Sequence, residues 1–207
     1  MKILFNVDYL SKRLDTIRKN IIRRFETFPE GEILNLDQDK IIESNLKMYQ
    51  VKNLSIDFTS RKADIKMVTL RRQELPPQIS FSMAAGEKID CAKVTYSYNI
   101  TGDEEYFYLR PSKFYAQNKT ASTIEQKKLI VHIQTYYGSE SLSDKVKNEV
   151  KGIIQRFEDE VKPNLESINQ EINDFNESLP KLMTELINAR KLKINARKDT
   201  ENDLNNF

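Results

Sequence analysis

The chain has 207 residues, with 33 Lys and Arg against 31 Asp and Glu, a net charge of +2, one cysteine and one histidine. So even a balance supplies no global electrostatic drive toward nucleic acid. A lone cysteine excludes an internal disulfide framework and suits a reducing compartment, so the expected location is cytoplasmic.

Met1 to Leu10 lacks the long apolar core of a signal peptide, and no apolar run approaches the ~20 residues of a membrane span. The first element expected is a helix over 8–28. Leu10, Leu14, Ile17, Ile21, Phe25 and Phe28 form one stripe, and Pro29-Glu30-Gly31 stops it. A second helix is expected over 37–49, capped by Asp37, with Ile41, Ile42 and Leu46 inward.

The period then changes from helical to alternating. Leu54, Ile56 and Phe58 predict a strand, while Ile65 to Leu70 fits either a strand or a short helix. Pro76-Pro77 is a break, and Ile79, Phe81 and Met83 alternate again. In Lys93 to Ile100, Val94, Tyr96, Tyr98 and Ile100 share one face. Thr101-Gly102-Asp103 follows as a turn and Tyr106 to Leu109 is rich in β-formers, which together predict a hairpin. Ser112 to Gln126 is expected to be a polar loop. Leu129 to Tyr137 is expected to be a strand that ends at Gly138.

From Ser141 onward apolar residues recur every three or four positions: Leu142, Val146, Val150, Ile153, Phe157, Val161, Leu165, Ile168, Ile172, Phe175, Leu179, Leu182 and Leu186. This is one helical face, close to a heptad seam. Pro163 and Pro180 are expected to divide it into two or three helical pieces, because proline in a helix interior costs ~3 kcal/mol. A seam of this length needs cover from the chain itself, from another copy or from a partner. Helical pattern up to Phe207 without a stop signal is expected of a segment of a longer parent protein, the alternative being a frayed natural C-terminus.

The expected fold is therefore α+β: N-terminal helices, a small mainly antiparallel sheet, and a long C-terminal helical hairpin or coiled-coil-like section. The expected division is an α+β domain over 1–140, with its sheet in 53–137, and a helical section over 141–207.

Catalytic signatures are sparse. His132 lies within a strand pattern, and Cys91 is the one thiol it could pair with for nucleophilic catalysis. One histidine and one cysteine cannot build a closed zinc site, five glycines form no phosphate-binding loop, and no cofactor is expected. Asp57 with Asp64 and Lys66 has the residue types of a metal-dependent nuclease. Two basic clusters are candidate phosphate contacts: Arg18, Arg23 and Arg24, and Arg190, Lys191, Lys193, Arg197 and Lys198. Their alternative is a solvated helix face. The strand aromatics, among them Tyr96, Tyr98, Phe114, Tyr136 and Tyr137, serve either cross-strand packing or base stacking. Arg110, before Pro111, is a candidate anchor for a carboxylate, helix carbonyls or a ligand.

The run Tyr96-Ser97-Tyr98-Asn99-Ile100-Thr101-Gly102-Asp103, with Leu109-Arg110-Pro111-Ser112 and Phe114, resembles N-terminal regions of large bacterial proteins. Phe175-Asn176, Leu179 and Ala189-Arg190-Lys191 fit the same pattern. In such proteins the region precedes a TIR or nuclease effector domain in anti-phage defence loci. The resemblance implies an effector beyond Phe207 and no catalytic residue within these 207. The function expected is a non-catalytic assembly or regulatory module, self-associating or bound to a partner protein through Phe157, Ile168, Phe175, Leu179 and Leu182. The alternatives are a nucleic-acid-binding module and a metal-dependent nuclease.

Overall fold

A computed structural model of the chain describes residues 4–81, 83–113 and 120–206. In chain order the elements are β1 (Asp8–Tyr9), α1 (Leu10–Glu26), α2 (Glu30–Asn35), α3 (Gln38–Tyr49), β2 (Ser55–Arg71), α4 (Pro77–Ser80), β3 (Lys88–Thr101), β4 (Leu109–Arg110), β5 (Ser122–Glu125), β6 (Lys128–Gln134) and α5 (Asp144–Asn205). The α+β reading holds: helices lead, an antiparallel sheet follows, and a long helix closes. No described helix is long and apolar enough to cross a membrane.

The chain forms two compact units, one of Met1–Asp8 with Leu54–Ser167, the other of Tyr9–Asn53 with Ile168–Phe207. The division between the units falls inside α5. The physical reason is the apolar face of α5, which changes cover along its length.

In the first unit the cover is the sheet. Its strand order is β2-β3-β6-β5, antiparallel throughout. Alternation puts Val94, Tyr98 and Ile100 of β3 inward with Leu129, Val131 and Ile133 of β6, all buried. Val150, Ile154, Phe157 and Val161 of α5 are buried in the same unit, and the Phe157 ring stacks on Tyr98 with centroids 6.5 Å apart. The N-terminal arm is tied in by two backbone bonds of 2.9 Å, Phe5 N–H to Phe107 O and Val7 N–H to Tyr108 O.

In the second unit the cover is helical. Leu10, Leu14, Ile21 and Phe25 of α1 and Ile41 of α3 are buried, as are Ile168, Ile172, Phe175, Leu179, Met183, Ile187 and Ile194 of α5. Asn176 clamps the connector after α3: Val51 N–H donates to its Oδ1 (3.0 Å), and its Nδ2 donates to Val51 O (2.8 Å).

Four expectations are corrected. First, α5 is one helix of 62 residues through both Pro163 and Pro180. Each proline removes one backbone donor, but the apolar face on either side stays buried, and that burial outweighs the local cost. Second, the seam drifts by one position. Ile154, Met183 and Ile187 are fully buried where Ile153, Leu182 and Leu186 are half-buried. A 3.6-residue helix slides relative to a strict heptad over several turns. Third, Ile79 and Phe81 do not form a strand. Pro77 opens the short helix α4 over Pro77–Ser80, and a proline at a helix start loses no needed donor. Fourth, Glu104–Tyr108 is a 3₁₀ turn capped by Asp103, so no hairpin joins it to β3.

The hairpin of this region is β5–β6 instead, its first strand inside the expected loop of Ser112 to Gln126, of which 114–119 lie outside the described residues. Its two-residue turn puts Gln126 at φ 51° and Lys127 at φ 60°. Such turns are usually marked by Asn-Gly, and neither residue is present here.

Two outcomes follow for α5. Leu179→Asp places a carboxylate at a fully buried position, so it should abolish cooperative unfolding of the second unit, seen as lost helical circular dichroism rather than as dissociation of an intact fold. Pro180→Ala, at an exposed helix-interior position, should raise stability by about 2 kcal/mol in urea titrations, the helix gain offset in part by a freer unfolded chain.

Candidate functional site

The expected interaction seam is already covered. Phe157, Ile168, Phe175 and Leu179 are between 0% and 4% exposed within the single chain, and Leu182 is half-buried. Side chains that fill their own core offer no surface to a partner. The signal that misled is periodicity itself, which reports that a face is apolar and not what covers it.

Both basic clusters fall in the second unit, where several members are engaged. Arg18 pairs with Asp15 at 3.6 Å and sits 5.8 Å over the Phe175 ring. Arg24 Nε donates to Asn45 Oδ1 at 2.8 Å, and the guanidinium lies 5.7 Å over Phe28. Arg197 donates to Glu30 at 2.7 Å and approaches Glu201 at 3.2 Å. Arg23 stands in the last turn of α1, where a cation complements the helix dipole. Lys193 and Lys198 are exposed and Lys191 is half-buried. Arg190 and Lys193 line a small cavity of about 110 Å³ with Phe25 and Glu26, and Arg190 Nε is buried there without a hydrogen bond among the described residues. Arg110 lies elsewhere, half-buried in β4.

The nuclease constellation is not assembled. Asp57 and Asp64 pair with Asn99 and Thr95, four residues apart on β3, or about 13 Å at the strand rise. Asp57 Oδ1 instead accepts from Thr59 Oγ1 (2.6 Å), Thr59 N–H (3.0 Å) and Ser60 N–H (3.3 Å). Those bonds, the Thr59 hydroxyl first, hold its carboxyl below the usual range and fasten the irregular stretch between Asp57 and Lys62. Asp64 pairs with Lys66 at 3.3 Å on the exposed strand. Among the described residues no three His, Cys, Asp or Glu side chains converge as a metal site would require.

His132 and Cys91 are also apart. His132 pairs with Thr95, four residues from Cys91 on β3, again about 13 Å. Burial pushes the Cys91 thiol up, with Asp90 adding to the effect, which disfavours the nucleophilic thiolate. Burial and then Lys93 push the imidazole down, so His132 stays neutral against the Thr95 hydroxyl at 3.4 Å.

The polar centre that sequence reading missed is buried in the first unit. Glu158 of α5, 7% exposed, accepts from Tyr98 Oη of β3 and from Arg61 of β2, each at 2.9 Å. Phe58 packs edge-on against Tyr98 at 5.8 Å, and Lys162 lies 5.2 Å over Phe58. The acid, phenol and guanidinium come from positions 158, 98 and 61, too distant in sequence for any local motif. The network joins helix to sheet and leaves the carboxylate with charge-assisted bonds. An open groove of about 380 Å³ also lies in this unit, between the end of β6 and the first turns of α5. Ile133, Tyr136, Tyr137 and Val146 make it mostly apolar, and Glu149 is the carboxylate on its wall.

The remaining feature is the sheet edge. β2 is a 17-residue strand at one end of the order β2-β3-β6-β5, so its outer side pairs with no described strand. Arg61 through Lys66 are all exposed.

Comparison with protein families, curated proteins and solved structures finds no match for this chain.

Burial, and then the hydrogen bond to Glu158, push the Tyr98 phenol well above its ordinary value. The neutral phenol therefore contributes stability that is complete below the ordinary tyrosine pKa of about 10 and is lost as pH rises beyond it. Tyr98→Phe should flatten that alkaline limb. At neutral pH it should cost about 1–3 kcal/mol by leaving buried Glu158 one donor short, as urea unfolding across pH will show.

Proposed function

We propose that this chain is a non-catalytic interaction module whose task is self-association, and that it works through the open edge of its sheet. The observation that carries the reading is β2. A long edge strand presents a row of backbone donors and acceptors, and natural sheets commonly shorten, cover, charge or twist such edges away; β2 is long, and its exposed charges Lys62, Asp64 and Lys66 alternate in sign and so do not repel a matching strand uniformly. Here Lys62 through Arg71 continue in unbroken register on β3, with the one irregularity confined to the stretch between Asp57 and Lys62. Strand addition to such an edge draws affinity from main-chain hydrogen bonds and specificity from alternate side chains.

The helical seam does not serve this purpose, because its residues are occupied. The resemblance to bacterial defence proteins supports the same kind of role: a region that brings copies together on behalf of an effector domain elsewhere in a longer protein.

Sedimentation velocity of the full chain over a wide concentration range tests the reading. A defined oligomer whose population follows mass action is the expected result. A folded monomer at every concentration overturns it.

A further inference from the structure

We infer that the occupant of the β2 edge is the β2 strand of a second copy, antiparallel about a two-fold axis at Ile65. The inference rests on the self-association reading above and adds its surface, register and symmetry.

Backbone direction comes first. In β3, the Ile100 N–H donates to Lys127 O and the Ala92 N–H to Tyr137 O, both on the β6 side. The Asn99 N–H donates to Ser60 Oγ, on the β2 side. Amides alternate along a strand, so Cys91, Lys93, Thr95 and Ser97 direct theirs to β2. Their partners are Val68, Lys66, Asp64 and Lys62. The intervening residues Ala63, Ile65, Met67 and Thr69 therefore direct N–H and C=O outward.

An isologous antiparallel pair must centre on one of these outward residues if its central rung is to exchange both hydrogen bonds. Centring on Ile65 sets Ile65 against its own copy and Ala63 against Met67. It also sets Asp64 against Lys66 and Lys66 against Asp64, in the closely spaced non-hydrogen-bonded rungs. The side chains of Asp64 and Lys66 are 61% and 76% exposed, so the 3.3 Å ion pair between them leaves both accessible to a partner strand. Ile65 lies opposite Val94, whose side chain is buried, so it stands on the core-facing side of the sheet. The paired isoleucines would prolong that apolar face, while the charges meet on the other.

The neighbouring registers are poorer. Centring on Ala63 also sets Asp64 against Lys62, but it sets Ile65 against Arg61 and brings Met67 to Thr59, inside the irregular stretch. Centring on Met67 sets Lys66 against Val68 and Asp64 against Leu70. The charge alternation thus excludes the Met67 centre, and the Ile65–Arg61 mismatch with the irregular stretch disfavours the Ala63 centre, which leaves Ile65.

The test uses the full chain and two charge variants, Asp64→Lys and Lys66→Asp. In the proposed register each variant faces its own copy with like charges in two symmetric rungs, and each should self-associate about tenfold or more weakly than the parent. Mixed together they are complementary in both rungs and should form a one-to-one heterodimer of near-parental affinity. Both variants alter exposed residues, and circular dichroism confirms their fold. Oxidation of Ile65→Cys supplies a second measurement, because Cα atoms about 5.5 Å apart in a hydrogen-bonded rung suit a disulfide. It should give a covalent dimer, and Lys62→Cys should not.

A parent chain that oligomerises while both charge variants oligomerise equally well overturns the edge and leaves self-association standing. Loss of association in the variants without rescue on mixing overturns the register. A monomeric parent overturns both readings.

Discussion

The apolar face of α5 is the constraint on which this structure depends. A helix of 62 residues with one continuous apolar stripe is stable in water only when that stripe is buried. The chain supplies the cover from two sources. Strand residues bury Val150, Ile154, Phe157 and Val161, and N-terminal helical residues belong to the unit that buries Ile168 through Ile194. Because both covers are internal, that face is not open to a second copy.

The first unit shows how helix and sheet are held in one relation. Apolar packing is non-directional and would tolerate some sliding of α5 along the sheet. Glu158 does not tolerate it, since its carboxylate must meet both Tyr98 and Arg61 at 2.9 Å. A buried carboxylate that loses its donors is strongly destabilising, so the network favours one alignment over its neighbours.

The second unit shows why basic residues in sequence are an unspecific signal. Arg18, Arg24 and Arg197 are each held by a carboxylate, an amide or an aromatic face of their own unit. A guanidinium covers apolar surface with its stem and forms planar bonds with its tip, so it serves structure as readily as phosphate.

Much of the fold was legible in the sequence. Leu10 to Phe25 with the Pro29 stop marked α1, Asp37 marked the start of α3, and the alternation of Val94, Tyr98 and Ile100 marked the inward face of β3. These are local patterns, and local geometry suffices to produce them. The β5–β6 hairpin escaped because its turn lacks the usual residues, and α4 because a proline can open a helix as well as end one. The acid–phenol–guanidinium centre escaped because positions 61, 98 and 158 share nothing but their meeting place. By itself the sequence determined that a long apolar face had to be covered and that no strong catalytic motif was present. The tertiary structure alone decided that the chain covers that face itself, that burial carries α5 through two prolines, and that the amides of Ala63, Ile65 and Met67 turn outward. Periodicity is a property of one segment, whereas cover and register belong to pairs of segments distant along the chain.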